Sequence, residues 1–168
     1  RNSTFGVGDL TYREIAIKTA YAQDQPPTRM QTVNWIVSQP LQHSPGNQFA
    51  YSNIGYLVLG LIVEQYSGMD PVDYLHDRIL ADLGVYPLEV ELGRSLPADR
   101  NPMEPWYDHQ GASWPNVFAS LDALSTDLLG QAVARPDGGW HHEARVGQGG
   151  LIMTPRALLK FLDAYKIS

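Results

Sequence analysis

The run Ile54-Gly55-Tyr56-Leu57-Val58-Leu59-Gly60-Leu61-Ile62-Val63 constrains this chain more than any other stretch. It carries no charge, yet it falls well short of the ~20 apolar residues that a helix needs to cross a bilayer. A helix apolar on nearly every side is instead a buried, central one. The polar triplet Tyr51-Ser52-Asn53 stands before it, and Ser67-Gly68 closes it, Gly being common just past a helix C-terminus. The spacing predicts a rigid rod with the triplet held at its mouth, where side chains keep their geometry.

If Tyr51 to Asn53 is extended before the helix starts, residues two apart point to the same side. Tyr51 and Asn53 then reach one cleft together, and Ser52 points elsewhere. Asn53 is the expected N-cap, its side-chain oxygen accepting from a first-turn N–H. A lysine beside a cleft tyrosine stabilises the phenolate, and such a phenol can pass protons between a serine nucleophile and a leaving group. Asparagine adds a donor and an acceptor for fixing a lysine or a substrate amide. Taken alone, the triplet reads better as a packing tyrosine and a capping asparagine, since such triplets arise often by chance. Its flanks carry the argument further.

Those flanks are Ser44-Pro45-Gly46 upstream, the apolar helix behind, and Gly147-Gln148-Gly149-Gly150-Leu151-Ile152-Met153-Thr154 far downstream. The ordered set resembles the serine β-lactamase and penicillin-binding-protein-like family, in the branch of class C β-lactamases, D-aminopeptidase-like hydrolases and β-lactamase-fold esterases. PGNQFAYSNIGYLVLGLIVEQYSGM is similar to that family's Tyr-x-Asn motif and following helix. GQGGLIMTPRALLKFLDAY is similar to its later Gly-Gly-Leu segment and helix. The resemblance spans most of the chain, strongest over 31–83 and 145–166. It implies that Tyr51 is the catalytic tyrosine and Asn53 its partner, in an enzyme acting by acyl transfer on a small-molecule ester, amide or β-lactam without a cofactor. It also suggests a periplasmic or extracellular setting.

The family's nucleophile lies in Ser-x-x-Lys, and no serine of this sequence is followed three places later by lysine. Its third motif, Lys-Thr-Gly or His-x-Gly, belongs after the last helix, whereas His109-Gln110-Gly111 matches the letters out of order. The expectation is therefore an internal fragment. Residues 1–168 would form a single partial domain, with a helical core at 11–84, a loop-rich excursion at 93–148 and a last helix at 154–166. The expected fold class is mainly α: the helical region of a β-lactamase/transpeptidase-like α/β fold, with at most short strands and long ordered loops. Such a fragment should expose apolar surface, and dock with the missing segments or self-associate.

Composition removes other classes. A net charge of −6 speaks against a nucleic-acid partner, which would want a basic patch. The absence of cysteine removes disulfides, a thiolate nucleophile and cysteine-ligated metal. Trp140-His141-His142-Glu143 invites a metal, but adjacent histidines in an extended chain face opposite sides, and the spacing is not that of a His-Glu-x-x-His helix. Zinc wants three or four convergent ligands, so no metal is expected.

Local signals fill in the rest. Thr11 and Glu14 read as a capping box opening a helix to Ala22. A second helix spans Met30 to Ser38, and Pro40 ends it. Asp70-Pro71 opens the next with a cap and a proline at the first helical position. Tyr74, Leu75, Ile79 and Leu80 would face inward there and His76, Asp77 and Arg78 outward, with Leu83-Gly84 closing it. Leu88 to Leu92 alternates like a strand, and Pro87 demotes it to an edge. Trp106, Tyr107, Trp114 and Phe118 argue that the excursion is ordered and folded over the core. Leu121 to Leu129 reads as a short helix, and Pro136-Asp137-Gly138-Gly139 as a turn. Glycines at 147, 149 and 150 permit a close backbone approach to the cleft or central helix. Thr154-Pro155 opens a last helix expected to bury Leu158, Leu159, Phe161, Leu162 and Tyr165.

Two other readings fit the residues. One is a non-catalytic binding or regulatory domain that kept the fold and lost the nucleophile. The other is a self-contained enzyme using Ser52 or Ser113 with His109 and Asp108, since triads assemble from distant positions.

Overall fold

The computed structural model describes residues 10–105, 111, 114–121, 132–133 and 135–166. A 3-10 turn at Leu10–Tyr12 leads into helix α1 (Glu14–Ala20). Helix α2 (Arg29–Val37) opens on Thr28, which exchanges hydrogen bonds with Gln31 in a capping box. Helix α3 (Asn53–Ser67) is the predicted central rod and ends at Gly68 with φ +69°. Its cap is Ser52, not Asn53: Ser52 is extended, and its Oγ accepts from Gly55 N at 3.1 Å. Asn53 is already helical, so its backbone no longer has the conformation of a cap.

Helix α4 (Pro71–Leu75) has the expected cap, Asp70 Oδ1 accepting from Val72 N at 2.8 Å. It continues through a widened turn at His76–Leu80 and a 3-10 turn at Ala81–Leu83, closing at Gly84 with φ +63°. His76 departs from its expected exposure, because its Nε2 lies 2.7 Å from the Val90 carbonyl. Strand β1 (Val90–Leu92) pairs antiparallel with β4 (Leu151–Met153), Val90 opposite Met153 and Leu92 opposite Leu151. Between them in sequence, β2 (Trp114–Pro115) pairs antiparallel with β3 (Ala132–Val133). Helix α5 (Pro155–Ala164) follows β4 directly, capped by Thr154.

Two apolar clusters hold these elements. Ile36, Ile54 and Leu57 lock α2 to α3. Leu80, Val85, Val90 and Ala157 join the end of the α4 segment to β1 and α5, with Phe161 packed alongside. Full burial of one such aliphatic side chain contributes about 1.5–3 kcal/mol relative to exposure.

A polar strap, residues 141–148, ties the end of the loop-rich excursion to the start of the chain. Arg145 Nη2 and Glu14 Oε2 form a buried ion pair at 3.0 Å. The same guanidinium donates to Thr11 O, and His141 N donates to Glu14 Oε1. The expected Thr11–Glu14 capping box is therefore absent. Both residues are committed to partners more than a hundred positions away, and α1 begins without a side-chain cap. Lys18 is fully buried and donates to the carbonyls of Val117 and Ala119, seating the segment around Phe118 on α1.

Of the glycines at 147, 149 and 150, Gly147 makes the expected close approach to the central helix. Gly147, at φ +101°, lies against the middle of α3 at Gly60. A Cβ on Gly147 would sit 2.7 Å from Tyr56 O, and one on Gly60 would sit 2.9 Å from Val146 O. Only backbones without side chains approach this closely.

Two burial expectations are overturned. Helix α3 is not buried all round: Tyr56, Leu59, Ile62 and Tyr66 form an exposed stripe on successive turns. Helix α5 turns Ala157 inward with Phe161 half-buried, because the small Ala157 lets the helix close onto Val90. Leu158, Leu159, Leu162 and Tyr165 are left outward, Leu159 being 67% exposed. Trp106, Tyr107 and all but the first residue of the expected helix from Leu121 lie outside the described residues. Among the described residues, no helix is long and apolar enough to cross a membrane.

Candidate active-site corner

The triplet at the mouth of α3 splits as an extended chain should. Tyr51 is 72% exposed, Ser52 only 7%, and Asn53 half-buried. The Tyr51 hydroxyl donates to Asn53 Oδ1 at 3.0 Å, so the two side chains share one side of the chain. Ser52 turns back to cap the helix, with Gly55 leaving just enough room for its Oγ. The corner thus presents a phenol and a carboxamide together, a proton carrier beside a group that can accept and donate.

An apolar groove of about 360 Å³ runs along α3, lined by Tyr56, Leu59, Val63, Val72, Leu75 and Gly147 among others. Neither Tyr51 nor Asn53 lines it. The groove is mostly apolar, whereas the Tyr51 and Asn53 side chains hydrogen-bond to each other at the corner.

In the His141-His142-Glu143 stretch, His141 Nε2 lies 3.9 Å from Glu143 Oε2, while His142 turns to other partners. His141 Nδ1 lies 3.2 Å from Pro27 O, and its ring meets Phe118 edge-on. The His142 ring packs edge-on against Trp140, and burial beside Arg145 lowers its pKa below the ordinary histidine value. Burial pushes Glu143 upward, but hydrogen bonds from Ser95 Oγ and N outweigh it and hold the carboxylate below its usual range. Burial lowers Lys18 against the pull of Asp24. Among the described residues, no group of three or more acidic or histidine side chains is placed to hold a metal.

Of the alternative triad, Asp108, His109 and Ser113 lie outside the described residues, and Ser52 is buried as a cap. The capping role of Ser52 was legible in principle, since serine is among the best N-cap residues. The buried Ser95–Glu143 and Glu14–Arg145 links carry no local sequence signal.

The fold is that of the β-lactamase and penicillin-binding-protein-like family. The family model described as Beta-lactamase matches residues 2–166, and the chain belongs to that family. A protein of Escherichia coli (strain K12) named "Putative D-alanyl-D-alanine carboxypeptidase" is 35% identical over 78 residues, covering 46% of this chain and 17% of the relative. Among solved structures, the D-amino acid amidase of Ochrobactrum anthropi SV3, complexed with L-phenylalanine, superposes with a TM-score of 0.56 at 23% identity, over 97% of this chain and 43% of that one. The octameric penicillin-binding protein homologue from Pyrococcus abyssi gives a TM-score of 0.55 at 22% identity, over 98% of this chain and 33% of that one. At these identities the structures share the fold. The chain spans less than half the length of each of these relatives.

Proposed function

We propose that this chain furnishes the Tyr51–Asn53 corner of the active cleft of a serine hydrolase. It would work by acyl transfer on an ester, amide or β-lactam, with the Ser-x-x-Lys nucleophile carried outside these residues. The observation that carries the reading is the Tyr51–Asn53 hydrogen bond on an open edge, in a chain of the Beta-lactamase family. In this reading residues 1–168 are a partial domain, the helical region of the larger fold.

The serine oxygen attacks the substrate carbonyl, the bond to the leaving group breaks, and water later releases the acyl-enzyme. Tyr51 takes the serine proton and delivers one to the leaving group. Asn53 Oδ1 orients the phenol and provides an acceptor for the incoming lysine ammonium. The name of the E. coli relative supports a peptide-like amide among the three substrate classes.

The test is the intact mass of every polypeptide after exposure of the whole protein to a fluorophosphonate and to a penicillin, with Tyr51→Phe alongside. An adduct on the polypeptide bearing Ser-x-x-Lys is expected, and Tyr51→Phe should slow its formation by about 10²–10⁴-fold. An adduct on a residue within 1–168 would sink the reading. The second reading, a non-catalytic binding or regulatory domain, draws on the lack of Ser-x-x-Lys in these residues. No adduct on any polypeptide would favour it.

A further inference from the structure

The exposure that separates Tyr51 from Ser52 begins two residues earlier. Phe49 is 72% exposed, Ala50 half-buried, Tyr51 exposed again and Ser52 buried. Over these four residues exposure alternates, as it does where every second side chain stands on the same face, and Ser52 itself is extended. Phe49 therefore shares the face of Tyr51, and two steps along a strand separate their Cα atoms by roughly 7 Å.

We infer that Phe49 is a specificity-determining residue of this cleft: it contacts an apolar, aromatic-sized group borne by the substrate next to the scissile carbonyl. The inference rests on the assignment of Tyr51 and Asn53 to the cleft. A turn at Ser44 to Asn47, closed by Asn47 N donating to Ser44 O at 3.2 Å, leads into this segment. Gln48 and Ala50, on either side of Phe49, offer no comparable apolar surface. A substrate ring laid against Phe49 would remove apolar area from water on both partners, in the offset or edge-on geometry that aromatic pairs prefer. A substrate with a methyl group there would leave the phenyl ring in solvent.

The experiment compares the whole protein with its Phe49→Ala, Phe49→Tyr and Tyr51→Phe variants on two esters sharing a leaving group, one acetyl and one phenylacetyl. Phe49→Ala is expected to lower kcat/KM for the phenylacetyl ester about tenfold while moving the acetyl ester less than about twofold. Phe49→Tyr should keep the wild-type preference, and Tyr51→Phe should lower both esters alike. Equal changes on both esters in Phe49→Ala, with Tyr51→Phe impaired, would overturn the role of Phe49 and leave the cleft assignment standing. So would a fall in thermal midpoint without a change in preference, which would mark Phe49 as a packing residue. Tyr51→Phe leaving both esters untouched would remove the cleft assignment itself, and this inference with it.

Discussion

Gly147 and Gly60 meet backbone to backbone, and the contact sets the distance between the glycine-rich strap and the central helix. A methyl group on Gly147 would stand 2.7 Å from Tyr56 O and 3.0 Å from Gly60 Cα, at a φ of +101°. Gly147→Ala combines a strained backbone with overpacking and should destabilise by about 2–4 kcal/mol. Gly60→Ala, with helical φ, should show the overpacking cost alone, offset by better helix propensity. Urea midpoints of the two variants check this; equal, small shifts would mean that the strap can move away.

Arg145→Met leaves the Glu14 carboxylate buried without its partner and should cost about 3–5 kcal/mol. Adding Glu14→Gln removes the stranded charge and should recover a large part of the loss. A double-mutant cycle read by chemical denaturation decides the point. If the two single losses simply add, the pair is not acting as a unit.

Acid should weaken the fold through His142 before it reaches the carboxylates. Burial holds the folded histidine below 6.5, its ordinary value, so the unfolded chain takes up that proton first. Stability is therefore flat in this group above pH 6.5 and falls as pH drops below it. His142→Gln should flatten that part of the stability–pH curve. Glu143 acts in the next window: its lowered value makes its contribution full above 4.5 and lost as pH falls through its folded value. Thermal midpoints between about pH 3 and 8 separate the two residues; an unchanged profile in His142→Gln would refute the assignment.

Ser52→Ala should cost about 1 kcal/mol of stability through loss of the helix cap. In the whole protein it should leave acylation of the nucleophile within about a few-fold of wild type, since Ser52 faces away from the corner. A loss as deep as that of Tyr51→Phe would instead give Ser52 a chemical role.

The outward stripes of α3 and α5 make the isolated 168-residue chain prone to self-associate. Tyr66 is 87% exposed, and Leu158, Leu159 and Leu162 stand together on α5. Apolar surface of this kind marks an interaction face. Sedimentation should show concentration-dependent assembly, reduced by Leu159→Gln; a monodisperse monomer would contradict it.

The sequence revealed those parts of the fold that are decided locally. Gly68 and Gly84 as helix stops, Asp70-Pro71 and Thr154-Pro155 as starts, and the extended entry to α3 are all chemistry within four residues. The Tyr51–Asn53 encounter belongs to the same class, because period two alone brings the side chains together. What the sequence concealed depends on distant partners. Thr11 and Glu14 have the letters of a capping box, but Arg145 and His141 claim them, and a buried charge pair outweighs a surface cap. His76 was misread for the same reason, Val90 O being its partner. The apolar stripes of α3 and α5 show that periodicity locates an apolar face without saying whether these residues cover it.

The strap that joins Arg145 to Thr11 also imposes an order in time. The two residues are 134 positions apart, so a nascent chain holds α1 without its buried partner until the intervening residues have been made. At 5–20 residues per second that wait is on the order of ten seconds, far longer than a helix takes to form and fray. During it, Glu14 and Lys18 stay in water, fully charged, and α1 gains little from closing early. Helix α1 is thus secured only after that interval, and its stability is written into residues made long after it.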